Sequence, residues 1–131
     1  MKRQGDHLRH PLKVARGLGS AKDGTGHFII QRITAIALFF LGLYLVGLLV
    51  SGGLADFATA RGIVGHPLHA TLLTAFLVAM FWHTQLGIQV IIEDYVHTPG
   101  WAVFLQLANR FICILAAIAS VLAVIRIALG A

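Results

Sequence analysis

The chain has 131 residues, of which 58% are hydrophobic and 11% charged, with ten Lys and Arg against five Asp and Glu for a formal charge of +5. Soluble domains carry about 25% charged residues, so this chain has too few to cover a water-facing surface, and its apolar content excludes disorder. The lone Cys113 lies in an apolar run, which leaves no disulfide framework and no cysteine-based metal site.

The chain opens on a basic segment. Residues 1–32 hold Lys2, Arg3, Arg9, Lys13, Arg16, Lys22 and Arg32 against Asp6 and Asp23, so the rest of the chain nets zero. No Phe, Trp or Tyr precedes Phe28, and a nucleic-acid binder would interleave aromatic with basic residues. No nucleic-acid partner is expected. A basic segment ahead of an apolar run sets membrane orientation, and here it places the N-terminus on the cytoplasmic side. The predicted organisation is a basic cytoplasmic tail over residues 1–27 and a membrane anchor over 28–131.

The first predicted span covers residues 33–55, all uncharged. At about 1.5 Å per residue it crosses a hydrocarbon core of roughly 30 Å. Ala58-Thr59-Ala60 beyond it looks like a signal cleavage site, but the run is longer than the 7–15 residues or so of a signal core and follows a long basic tail. The second span covers 68–92, between Pro67 and the Glu93-Asp94 pair. The third covers about 101–125 and is interrupted by Asn109 and Arg110. Without water to satisfy the backbone, all three must be helices. The fold class is therefore an all-α membrane protein with three transmembrane helices. Gly42, Gly47, Ala75, Ala79 and Gly87 are expected at close helix contacts, and Arg32 and Tyr95 at one membrane face.

Of seven histidines, only His83 lies well inside a predicted span. An ionisable side chain there is costly and suggests function. Read alone, it is either a neutral imidazole bonded to a neighbouring helix or a metal ligand, since imidazole nitrogen binds haem iron. Gly87, one turn on, leaves that face open to a flat macrocycle. His69 also shares the helix, but spans one and three contain no histidine, so a bis-histidine haem needs a second chain. Asp94 follows His83 by eleven residues, about three turns and 16 Å along the same face. Asp94 and Tyr95 suit either a membrane-interface boundary or contact with the head group of a lipid-soluble redox carrier. Arg32 reads as a snorkelling cation or as the partner of an anion at the membrane edge.

Together these residues resemble a family. Gly24-x3-Phe28-x3-Arg32-Ile33-Thr34-Ala35-Ile36, with His83-x3-Gly87 and then Asp94-Tyr95, is similar to the small hydrophobic anchor subunits of succinate dehydrogenase, respiratory complex II. The resemblance covers about residues 19–97. It implies that His83 is one axial ligand of haem b, shared with a cytochrome b556-type anchor subunit that packs its own three helices against these. It implies that Tyr95 and Asp94 form part of the ubiquinone site and that Arg32 meets a haem propionate. One departure is Gly26, where some members carry a histidine; His27 follows it directly. The flavoprotein that oxidises succinate and the iron–sulfur subunit that relays electrons would be separate chains, so this chain is enzymatic only as part of the complex. A bacterial inner membrane is implied, or a mitochondrial inner membrane in a eukaryote. Two other readings remain at this stage: an ion or solute pathway with His83 as proton relay, and a structural assembly subunit.

Overall fold

A computed structural model describes residues 21–130, with side chains from Thr25 onward. Residues 1–20 of the predicted tail, with His7 and His10, lie outside the described residues. Four helices follow one another: α1 (Ala21–Val50), α2 (Phe57–Gly65), α3 (Pro67–Tyr95) and α4 (Pro99–Ala128). No strand occurs among the described residues. Three of the helices are long and apolar enough to cross a membrane: Thr25–Val50 within α1, all of α3 and all of α4.

Local chemistry sets the ends of these helices. α1 starts ahead of the uncharged run and stops at Val50, so residues 51–55 form the turn. The stop is a Schellman motif. Gly53 N–H donates to Leu48 O at 3.0 Å and Gly52 N–H to Leu49 O at 3.2 Å, with Gly52 at φ +77°. That left-handed conformation costs any other L-residue about 1–2 kcal/mol. Asp56 then caps α2, where Oδ1 accepts from Thr59 N–H at 2.9 Å and Oδ2 from the Thr59 hydroxyl at 2.7 Å. These hydrogen bonds hold the Asp56 carboxyl below the usual carboxylate range. The short α2 was not predicted. His66 closes α2 and opens α3, where its Nδ1 accepts from Leu68 N–H at 3.3 Å. Pro67 and Pro99 fill the first helical positions of α3 and α4, where a missing N–H costs nothing.

α3 is the centre of the arrangement. It packs against α1 on one flank and α4 on the other, and among the described residues the backbones of α1 and α4 do not approach each other. The α2 helix lies against α3 and α4 at the His66 end. The buried set is small: Ala79, Leu86, Ile92 and Cys113 with the polar Thr34, Gln89 and Asn109. Phe39, Phe40, Phe111 and Leu115 are among many large apolar side chains left exposed, as expected of helices whose solvent is lipid or a neighbouring subunit. Ala79 fits the expected close contact. Gly42 and Gly47 do not, because a side chain at either would meet nothing within 4 Å; they lie on parts of α1 that no other helix of this chain covers.

Candidate functional site

His83 sits at mid-helix on α3, half-buried, with Nδ1 3.0 Å from the Thr34 hydroxyl of α1. Thr34 is 7% exposed, the one buried polar side chain among the described residues of α1. Its Oγ1 also lies 2.9 Å from Ile30 O and 3.1 Å from Gln31 O. A second hydroxyl–imidazole pair joins the same helices near the His66 end, Tyr44 OH to His69 Nδ1 at 2.5 Å, with the rings stacked. His69 is thus engaged by α1, and its ring also meets His66 edge-on at 5.5 Å.

Gly87 borders a cavity of about 630 Å³ between α1 and α3, lined by Phe28, Gln31, Leu86, Gln89 and Glu93 among others. A side chain at Gly87 would meet Gln31 Nε2 at 3.9 Å, and Gln31 Oε1 is buried without a hydrogen-bond partner. The face beside Gly87 is therefore open, as the sequence suggested, but it is bordered by a polar amide.

The two pairs linking α1 to α3 fix an antiparallel register, Thr34 opposite His83 and Tyr44 opposite His69. Arg32 then lies level with Gln85, about 15 Å along the axis from Tyr95. The expectation that Arg32 and Tyr95 occupy one membrane face needs correction: both lie toward the Tyr95 end of the bundle, but Arg32 is at the depth of His83. Helix α1 begins at Ala21, so Arg32 is three turns inside it. Its guanidinium lies 5.1 Å from the Phe28 ring centroid, one turn back. Asp94 and Tyr95 are both exposed at the end of α3, Tyr95 at 78%. Their side chains are therefore free to meet something outside this chain. The structure brings together neither of them with His83 nor with Arg32.

Sequence reasoning missed a polar ladder on the other flank of α3. Gln85 Nε2 donates to Gln89 Oε1 at 3.2 Å, and Gln89 Nε2 to Glu93 Oε1 at 2.9 Å. From α4, Asn109 Nδ2 donates to Gln85 O at 2.9 Å and Gln106 Nε2 to Gln89 O at 3.2 Å. The Cys113 thiol donates to Asn109 Oδ1 at 3.5 Å. The clue was available as Gln85 and Gln89 inside the apolar span and Glu93 just beyond its end, at four-residue spacing, which places them on one helix face. Asn109, unassigned from sequence, ties α4 to α3 together with Gln106.

The fold and site define a multi-pass helical membrane protein with an imidazole held at mid-span. A family model for the succinate dehydrogenase/fumarate reductase transmembrane subunit matches residues 6–125, and the chain belongs to that family. It is 32% identical over 117 residues to the succinate dehydrogenase hydrophobic membrane anchor subunit of Rickettsia bellii, covering 89% of this chain and 94% of that protein. The anchor subunit of Rickettsia typhi is 24% identical over 110 residues (84% and 88%). That of Paracoccus denitrificans is 31% identical over 86 residues (65% and 66%). As a membrane anchor subunit of succinate dehydrogenase type, the chain is one part of a larger enzyme complex.

Proposed function

We propose that this chain supplies one axial ligand of haem b through His83, shares that haem with a cytochrome b556-type anchor subunit, and helps form the site where ubiquinone is reduced. The observation that carries the reading is the half-buried His83 held through Nδ1 by Thr34, in a chain of this family. The donor set fits a haem. An axial ligand needs one ring nitrogen free, and Nε2 makes no hydrogen bond to any described residue. The open face at Gly87 and the depth of Arg32 support the same arrangement, with Arg32 as the cation opposite a propionate.

Haem b, when bound, supplies reversible one-electron storage beside the quinone. The chain's own residues do the rest. His83 would hold the haem iron through Nε2. Tyr95, exposed on the last turn of α3, donates its hydroxyl hydrogen to a quinone carbonyl oxygen and stabilises the negative charge that builds there between electron steps. Asp94 beside it supplies protons and tunes the local field. Electrons from succinate arrive through the iron–sulfur and flavoprotein subunits, docked on the Tyr95 side. The clustering of basic residues ahead of α1 supports a cytoplasmic N-terminus and the same placement of Tyr95. The open layer, with α1 and α4 apart, supports a second anchor subunit completing the bundle. The family match favours this reading over the transport and assembly readings.

His83→Ala tests it. The reduced-minus-oxidised spectrum of the assembled complex should lose or alter its low-spin haem signal, while succinate oxidation with an artificial acceptor persists. An unchanged haem spectrum would sink the ligand assignment.

A further inference from the structure

Thr34 has one hydroxyl hydrogen and three close neighbours: Ile30 O at 2.9 Å, Gln31 O at 3.1 Å and His83 Nδ1 at 3.0 Å. Both carbonyls can only accept. If the hydrogen pointed at Nδ1, the oxygen lone pairs would face two carbonyl oxygens at hydrogen-bond distance, and both contacts would be repulsive. With the hydrogen turned to the α1 backbone, those contacts become attractive and a lone pair is left facing Nδ1. That arrangement requires Nδ1 to carry a hydrogen. A neutral imidazole has only one, so Nε2 is bare.

From this we propose that Thr34 is a positioning residue for His83, fixing its ring and its Nδ1–H tautomer so that Nε2 presents an electron pair to haem iron. The proposal rests on the haem-ligand reading of His83. Thr34 suits the role because its hydroxyl is anchored by its own helix, as threonine in helices often is. The acceptor is therefore in place before α3 docks, and the ring is oriented by a group that does not depend on the haem. A ring N–H held by an acceptor also makes the opposite nitrogen a stronger donor, which favours ferric iron. Tyr44 and His69 form the internal comparison. They are the same pairing of hydroxyl with imidazole between the same helices, but no backbone carbonyl is hydrogen-bonded to the Tyr44 hydroxyl, so nothing there selects a tautomer.

The test uses assembled complex in membranes and compares Thr34→Val, Thr34→Ser, Tyr44→Phe and His83→Ala. The readouts are the low-temperature paramagnetic resonance of the oxidised low-spin haem, its midpoint potential, and the rate of haem loss to a scavenging apoprotein. Thr34→Val keeps the shape and removes the hydroxyl. It should shift the resonance, raise the midpoint potential and speed haem loss roughly tenfold or more. Thr34→Ser restores the hydroxyl and should behave as wild type. Tyr44→Phe should leave all three readouts unchanged. If Thr34→Val matches wild type in all three, or Tyr44→Phe moves them as far, Thr34 only packs α1 against α3. If Thr34→Val does not assemble, Thr34→Ala carries the same comparison. A wild-type haem spectrum in His83→Ala would instead overturn the ligand reading, and the role of Thr34 with it.

Discussion

Replacing Asn109 by leucine keeps a side chain of similar size at a buried position and removes one hydrogen bond between α4 and α3. Asn109 is 7% exposed, and its Nδ2 reaches Gln85 O at 2.9 Å. In lipid, interhelical hydrogen bonds contribute about 0.6 kcal/mol on average and up to about 1.7. The acceptor left behind, Gln85 O, is a helix carbonyl that keeps its own backbone partner, and the one buried donor that loses its acceptor is the weak Cys113 thiol, at 3.5 Å from Asn109 Oδ1, so the 1–3 kcal/mol or so of a strongly polar unsatisfied group is not added. Gln106 still bridges one turn away at 3.2 Å. The expected loss is therefore about 1 kcal/mol, roughly fivefold in the folding equilibrium. The assay is resistance of the detergent-solubilised complex to stepwise addition of denaturing detergent, with Gln106→Leu and the double variant completing a cycle. The two substitutions share neighbours, so the double variant should lose more than the sum. A loss above about 3 kcal/mol from Asn109→Leu alone would mean that the residue does more than bridge two helices. No measurable loss from the double variant would mean that the bridges do not hold α4 in place.

Two further outcomes follow from residues at the ends of helices. Tyr95→Phe keeps the ring and deletes only the hydroxyl, so ubiquinone-dependent succinate oxidation should fall roughly a hundredfold, with haem content and artificial-acceptor turnover near normal; a wild-type rate would make Tyr95 an interface aromatic. Gly52→Ala forces a Cβ into φ +77° at a site with open space around it, so it should lower stability by about 1 kcal/mol through the backbone alone. Gly47→Ala, helical in the last turn of α1 with equally open space, is its control and should be neutral or slightly stabilising. Equal behaviour of the two would refute the Schellman account of where α1 ends.

The three spans were legible because lipid imposes one demand, an apolar run long enough to cross, and sequence shows that directly. The helix ends were less so. Counting uncharged residues from Arg32 to Asp56 put the first span about five residues late at its end, since the terminator is backbone geometry at Ser51-Gly52-Gly53 rather than a change in polarity. Lys22 and Asp23 hid the start of α1, because charged residues sit easily in a helix that projects beyond the hydrocarbon. His83 stood out as an ionisable group in mid-span, but its partner did not. Thr34 is one of several small polar residues in the chain, and only the packing of α1 on α3 singles it out. Gln85 and Gln89 carry no charge and so escaped a reading that weighed charge first, and Asn109 stood out only as an interruption of the third span. Tyr95 and Asp94 show the opposite limit: both are exposed, and among the described residues no side-chain hydrogen bond fixes either of them.

The position of α3 between two helices whose backbones stay apart has a consequence for biogenesis. Spans emerge from the ribosome in order, and α1 enters the bilayer with the Thr34 hydroxyl already satisfied by its own backbone, so that group can wait in lipid at little cost. The middle span cannot. Until α4 arrives, the Asn109 and Gln106 amides that cross to its backbone are missing, and its glutamines face lipid on that flank. The α3–α4 hairpin is therefore the unit that must close promptly, and a ribosome stalled before residue 106 would leave a polar seam exposed to membrane quality control.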